Sequence, residues 1–162
     1  MKETEVISDN DPSKPFSLRF PIRFTHTDPA GYVFFPRYFD MFQAVSEDWF
    51  TYRLGVKFSD MIMVQQVGQP TAFVECQFIK PCVLGDMLDM AIVLEKFGTS
   101  SLDLRYVGTV DGEVRLCARS VQVLINFSDG KPVPFNDELR AKLTAYHRDV
   151  VPPDVPLPQR RK

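Results

Sequence analysis

The segment that most constrains this fold begins at Pro36. Phe35, Phe39, Phe42, Ser46 and Trp49 recur at spacings of four and three, and Tyr38, Met41, Val45 and Tyr52 widen the stripe. Arg37, Asp40, Glu47 and Asp48 leave only a thin polar side. The pattern predicts a helix of about 18 residues that is apolar around much of its girth, and such a helix is buried. Pro36 suits the first helical position, where its missing N–H costs nothing, and Gly55 is a suitable stop. The rest of the chain must therefore supply a wrapping for one long helix.

The wrapping reads as strands. Phe16, Leu18, Phe20, Ile22 and Phe24 alternate with Ser17, Arg19, Pro21 and Arg23, a sustained period of two. Pro21 cannot donate to a ladder, which points to an edge or a bulge there. After Pro70, extended stretches follow at Thr71–Ile79, at Asp86–Phe97 with Leu88, Met90, Ile92 and Leu94 on one face, at Leu102–Gly108, and at Glu113–Asn126. Asp111-Gly112 marks a tight hairpin. Residues 56–70 read as a loop or a short helix around Asp60-Met61-Ile62, and Asn136 can cap a terminal helix through about His147. One strand, one long helix, four consecutive strands and a short helix predict an α+β fold, with a five-stranded antiparallel sheet around a central helix. One helix cannot hide such a sheet edge to edge, so the leftover apolar surface and a sheet edge predict a homodimer.

Residues 1–15, polar and holding Pro12 and Pro15, read as a mobile arm, residues 16–148 as the domain, and residues 149–162 as a Pro-rich, frayed tail. The formal charge of −2 argues against nucleic acid as a partner. No apolar run is long enough to span a bilayer, so no membrane partner is expected. Cys76, Cys82 and Cys117 form no CxxC pair and suit free thiols in a reducing compartment. With a polar Met1–Glu5 in place of a signal-peptide core, this predicts a cytoplasmic protein.

Site chemistry is sparse. There is no GxSxG, Walker loop, GxGxxG or HExxH, and His26 and His147 are the only histidines, so neither a metal site nor a Ser-His-Asp relay is expected. His26 reads either as a strand-end residue bonded to backbone or as a catalytic neighbour of Asp28. Asp28 lies in Thr27-Asp28-Pro29-Ala30-Gly31, just before the long helix. An Asp before Pro-x-Gly is ordinary turn chemistry. The alternative starts from the helix beginning, where unpaired N–H groups carry the positive end of the dipole. Because Pro36 has no N–H, the nearby donors are Phe35, Arg37 and Tyr38. A carboxylate facing such donors could act as nucleophile or general base on an acyl group polarised by an N–H.

The stretch Asp28-Pro29-Ala30-Gly31-Tyr32-Val33-Phe34-Phe35-Pro36-Arg37-Tyr38-Phe39 closely resembles the active-site signature of the 4-hydroxybenzoyl-CoA thioesterase family, whose members have the hotdog fold. A weaker resemblance in element order covers roughly residues 16–147. The resemblance implies that Asp28 is the catalytic carboxylate and that the backbone N–H of Phe35 polarises the thioester carbonyl. It implies an acyl-CoA substrate, no cofactor other than the coenzyme A of that substrate, and a homodimer that can pair further into a tetramer. A related subfamily has a His where this chain has Phe34, so the chain sits nearer the Asp-only type. The family's CoA-binding basic residues do not carry over; Lys80, Lys96 and Arg105 are candidates by charge, with solvated strand-face charges as the alternative.

Tyr32, Phe34 and Phe39 are candidate linings of an acyl pocket, although many of the 14 phenylalanines must simply be core. Gln43, Ser46 and Glu47 follow one and two turns into the helix. Ser46 interrupts the apolar stripe, which makes it a candidate substrate contact, with packing or backbone bonding as the plainer reading. The expected function is hydrolysis of a CoA thioester, compatible with an aromatic acyl group. The rivals are a thioesterase acting on acyl carrier protein or on fatty acyl-CoA, a non-catalytic acyl-CoA-binding protein, and a hotdog dehydratase, for which the nearest histidine would be His26.

Overall fold

The computed structural model describes residues 11–158 and the backbone of Glu5–Val6. The long helix forms as α1, Pro36–Asp48, and continues without a break through a π-turn at Trp49–Arg53. Leu54 N–H bonds to Trp49 O at 2.9 Å, which widens the last turn. Gly55, at φ +69°, then ends the run in the left-handed region. Val45, Trp49 and Phe50 are fully enclosed at 0% exposure. Each such side chain contributes about 1.5–3 kcal/mol of burial.

The strands run in chain order β1 (Glu5–Val6), β2 (Phe16–Pro21), β3 (Val67–Gly68), β4 (Thr71–Phe78), β5 (Met87–Phe97), β6 (Ser101–Val110), β7 (Glu113–Val123) and β8 (Ile125–Asn126). The main sheet is antiparallel in the order β1-β2-β5-β6-β7-β4, and β3 pairs with β8 beside it. Its five long strands are the expected hotdog sheet, and α1 packs on one face; the two-residue β1 adds to the edge. Leu88, Met90, Ile92 and Leu94 all point inward and are buried, as their alternation predicts. The β6–β7 hairpin turns on Asp111 and Gly112, both at positive φ, the requirement of a two-residue primed turn.

Two boundaries differ from the sequence reading, while the short helix expected around Asp60-Met61-Ile62 forms. β2 stops at Pro21 and a 3-10 turn takes Phe24–His26, so Phe24, expected on the buried face, is 80% exposed. Pro21 is the last residue of β2 and pairs with Met87 at the end of the β2–β5 ladder, where a residue without an N–H is tolerated. The last strand is divided at Leu124, which separates β7 from β8. Residues 56–70 hold a short helix, α2 (Phe58–Met63).

The terminal helix α3, Asp137–Asp149, is capped by Asn136, whose side chain accepts from Leu139 N–H at 2.8 Å. Residues 1–4, 7–10 and 159–162 lie outside the described residues. Of the arm expected over residues 1–15, Glu5–Val6 pairs with β2, and the Arg53 guanidinium donates to the carbonyls of Asp11, Pro12 and Lys14. The Pro-rich tail lies along the outer face of the sheet, where a frayed end was expected. Val151 N–H bonds to Ser13 O at 2.8 Å, Arg105 donates to Val155 O, and Cys117 Sγ approaches Pro156 O at 3.4 Å.

Tyr146 of α3 ties the helix to the sheet. Its hydroxyl donates to Ile92 O at 2.7 Å and accepts from Phe16 N–H at 2.9 Å. Its ring meets Trp49 edge to face at 5.1 Å. Tyr146→Phe keeps the ring and strands two buried backbone groups, so it should destabilise the protein by about 1–3 kcal/mol in guanidinium unfolding. A change below about 0.5 kcal/mol would mean that water replaces both bonds.

Candidate active site

The residues before α1 fold into a small closed hairpin. Thr27 and Val33 face each other in an isolated antiparallel bridge. Asp28 N–H bonds to Tyr32 O and Phe34 N–H to His26 O, each at 2.9 Å. Gly31 closes the turn at φ +84°, a conformation that L side chains adopt only with strain. The hairpin is strapped to the chain beyond β4: Val33 N–H bonds to Cys82 O at 2.9 Å, and Tyr32 bridges Val83.

Within this hairpin Asp28 is partly buried, and its Oδ1 accepts the Ala30 N–H at 2.8 Å. The donor it meets is in its own turn, not at the helix start, so the ordinary turn chemistry is realised in full. Its other oxygen makes no hydrogen bond among the described residues.

The helix start is simpler than its sequence implied. Of the three expected donors, Arg37 N–H is taken by Phe34 O at 2.9 Å and Tyr38 N–H by Phe35 O at 3.1 Å. Pro36 contributes none. Phe35, the N-cap residue, has no side-chain cap, and its N–H makes no hydrogen bond among the described residues. One unpaired amide therefore stands at the positive end of α1, just past the hairpin that holds Asp28. His26 takes the plainer role, with Nδ1 accepting the Arg23 N–H at 2.9 Å.

The aromatic candidates divide. Tyr32 and Phe34 are exposed at the hairpin rim. Phe34 meets Phe35 edge to face at 5.7 Å, and Phe35 meets Phe78 of β4 at 6.3 Å. Phe39, one turn further, packs on Phe42 at 5.5 Å and borders a cavity of about 220 Å³ between α1, β4 and the inner face of β6 and β7. Ser46 is 2% exposed, and its hydroxyl donates to Gln122 Oε1 at 3.3 Å. Asp28, Phe35 and Phe34 thus gather at the N-terminal end of α1, while Phe39 and Ser46 follow along the same stripe. A larger cavity of about 330 Å³ opens on the other flank of α1, among Phe20, His26, Arg37 and Asp40.

Tyr106, Ser120 and Gln122 also border the smaller cavity, and sequence reasoning missed them. The signal was present: Ser120 and Gln122 occupy inward positions of β7 where Leu116 and Ala118 set an apolar pattern. Of the basic candidates, Arg105 is corrected. It is 7% exposed on the outer face and paired with Glu95 at 2.6 Å beneath the tail. Lys80 pairs with Glu113 at 2.8 Å, and Lys96 lies 4.0 Å from Asp103. No group of three or more His, Cys, Asp or Glu able to hold a metal occurs among the described residues. None of the described helices is long and apolar enough to cross a membrane.

The family model of the thioesterase-like superfamily matches residues 22–143. The chain is 25% identical over 134 residues to a 1,4-dihydroxy-2-naphthoyl-CoA hydrolase of Nostoc punctiforme, covering 83% of this chain and 90% of that protein. Among solved structures, a gentisyl-coenzyme A thioesterase superposes with a TM-score of 0.72 at 24% identity, covering 78% of this chain and 98% of the other. A Staphylococcus aureus protein in complex with CoA reaches a TM-score of 0.81 at 14% identity, covering 89% and 90%. The matched span contains the Asp28 hairpin, all of α1 and four of the five long strands, β4 to β7, and on this ground the chain belongs to the thioesterase-like superfamily.

Proposed function

We propose that this protein hydrolyses the CoA thioester of an aromatic acid, with Asp28 as the catalytic carboxylate and the Phe35 N–H as the donor to the thioester oxygen. The observation that carries the reading is the single unpaired amide at the start of α1, next to the hairpin that presents Asp28. A developing oxyanion there gains a preorganised donor and the positive helix end without moving any group. The aromatic class is supported by the dihydroxynaphthoyl-CoA and gentisyl-CoA relatives, and by the rings of Phe34, Phe35 and Phe78 around that amide.

Asp28 can act in two ways. As a nucleophile, its free oxygen attacks the thioester carbon, expels CoA as the thiolate, and leaves a mixed anhydride that water then cleaves. As a general base, it takes a proton from water as that water attacks. The Ala30 N–H orients the carboxylate for either role. Both draw on this chain and water alone, with coenzyme A entering as part of the substrate. The free cysteines suit a reducing cytoplasm. Tyr32 and Phe34 flank the thioester, and Phe39 and Ser46 line the acyl side.

Asp28→Asn should lower kcat by about 100- to 10,000-fold while CoA binding persists. A variant within about threefold of the wild type would remove Asp28 from the chemistry. Single-turnover hydrolysis in isotopically labelled water bears on the two roles: label in Asp28 requires the anhydride, whereas label confined to the product acid shows that water attacks the acyl carbon, in the thioester or in the anhydride.

The site also argues for a second copy of the chain. β4 pairs only with β7 and leaves its other edge open among the described strands. Along it Phe73, Val74, Phe78 and Ile79 are 38–52% exposed, and Phe35 beside them is 56% exposed. An open edge bearing apolar groups next to the catalytic amide suits a two-fold pairing of β4 with its copy, which would roof the acyl groove. Light scattering should give about twice the 18.6 kDa chain mass, or four times if dimers pair again. Val74→Lys, which sets like charges near the two-fold axis, should yield monomers of lower turnover. A wild type that is monomeric and fully active would overturn the pairing.

A further inference from the structure

Two parts of the proposed site have to keep one relation: the hairpin that carries Asp28 and the helix start that carries the Phe35 amide. The short stretch between β4 and β5 holds both. Val33, two residues before Phe35, donates its N–H to Cys82 O at 2.9 Å. Tyr38, three residues after Phe35, brings its hydroxyl against the thiol and backbone of the same Cys82. Burial, and after it the neighbouring thiol, raise the Tyr38 phenol well above its ordinary pKa, so it keeps its proton as a donor toward the sulfur. Cys82 is 0% exposed and Tyr38 4%. Phe35 therefore lies on a segment pinned on both sides to one buried residue. Beside it, Phe78 at the end of β4 meets the rings of both Phe35 and Tyr38, at 6.3 and 5.6 Å between centroids.

Cys82 is itself gripped from β7. On one side of it, the Arg115 guanidinium donates to Pro81 O at 2.7 Å. On the other side, Val83 N–H bonds to Asp86 Oδ2 at 2.9 Å, and that oxygen lies 3.8 Å from the Arg115 guanidinium. The Arg115 carbonyl accepts the N–H groups of Ile79 and Lys80 at 2.8 and 3.1 Å. The Arg115 side chain is 14% exposed, and its charge is met by Asp86 and by Glu113 at 3.4 Å. A guanidinium enclosed in this way is engaged within the chain rather than presented to a ligand. Its planar fork serves a carbonyl and a carboxylate together, which a lysine ammonium does less well and a glutamine amide cannot do with charge. Contacts thus run from Arg115 through residues 81–83 to Val33 and Tyr38. Burial pushes the Cys82 thiol up, so it is a neutral contact in this chain of bonds and not a nucleophile.

We propose, building on the thioesterase reading, that Arg115 and Cys82 are positioning residues that clamp the Asp28 hairpin and the first turn of α1 to one another, and so set the carboxylate against the Phe35 amide. They act through Val33 and Tyr38 rather than on the reacting atoms. The geometric demand is steep, since a displacement of about 1 Å caused far from the chemistry can cost about 100-fold in rate.

The test uses Arg115→Gln, Arg115→Lys, Tyr38→Phe and the double variant of Arg115→Gln with Tyr38→Phe, with Tyr146→Phe as a destabilised control outside the clamp. Rates are measured with para-hydroxybenzoyl-CoA and 1,4-dihydroxy-2-naphthoyl-CoA, below the unfolding transition of every variant and per folded molecule. Arg115→Gln and Tyr38→Phe should each lower kcat by about 10- to 100-fold with KM within about threefold of the wild type. The double variant should fall no further than the worse single one, because both release the same clamp. Arg115→Lys should recover part of the loss, and Tyr146→Phe should leave kcat unchanged. In the ligand-free protein, hydrogen exchange at the Val33 amide should quicken by about tenfold relative to the amides of β5 in Arg115→Gln, and not in Tyr146→Phe. A raised KM at unchanged kcat would make Arg115 a contact for coenzyme A and overturn the clamp. Losses that add in the double variant, or that Tyr146→Phe reproduces, overturn it as well, as does a Val33 amide that exchanges no faster. A wild type without hydrolysis whose Val33 exchange still responds to Arg115→Gln overturns the thioesterase reading and leaves the clamp standing.

Discussion

A helix with too little polar surface to face water has to be enclosed, and most of this molecule follows from that requirement. α1 and its π-turn bury Val45, Trp49 and Phe50 completely, and no soluble arrangement leaves such a helix uncovered. The sheet bends around it, and α3 closes the far end through Trp49 and Tyr146. What remains open is the N-terminal end and the flank toward β4. The unpaired amide, the aromatic rings and the cavity bordered by Phe39 all lie there.

The start of that helix is where we place the chemistry. A proline at the first position removes one donor, and the carbonyls of Phe34 and Phe35 satisfy the next two. The Phe35 N–H is left as a single directed donor rather than one of a diffuse set. The hairpin before it uses Gly31 at positive φ and a bridge to the chain beyond β4 to hold Asp28 in place. Backbone hydrogen bonds fix both partners, so the site depends less on packing than on the register of a few amides. The Ala30 N–H fits the same logic: a turn that orients one carboxylate oxygen leaves the other available.

Much of this was legible in the sequence because the patterns were long. The spacing of Phe39, Phe42, Ser46 and Trp49 identified the helix, and the alternation through Leu88 to Leu94 identified an inner strand face. Asn136 was correctly read as a cap because its side chain had an N–H to accept. The failures have physical causes. Phe24 continues a period of two but falls after Pro21, where the ladder to β5 has already ended. Arg105 read as a surface cation because its burial comes from the tail, far away in sequence. Asp28 was ambiguous because turn chemistry and catalysis ask for the same residue in the same place, and the structure contains the turn bond itself.

The central claim is that the Phe35 amide receives the thioester oxygen. The direct measurement is the amide nitrogen and proton resonance of Phe35 in labelled protein, titrated with a non-hydrolysable ketone analogue of an aromatic acyl-CoA. A hydrogen bond to the ketone oxygen should move the Phe35 amide proton downfield by more than those of Arg37 and Tyr38, whose amides are already bonded within the chain. If the analogue binds while the Phe35 resonance stays still, the carbonyl lies elsewhere and the account of the site is wrong.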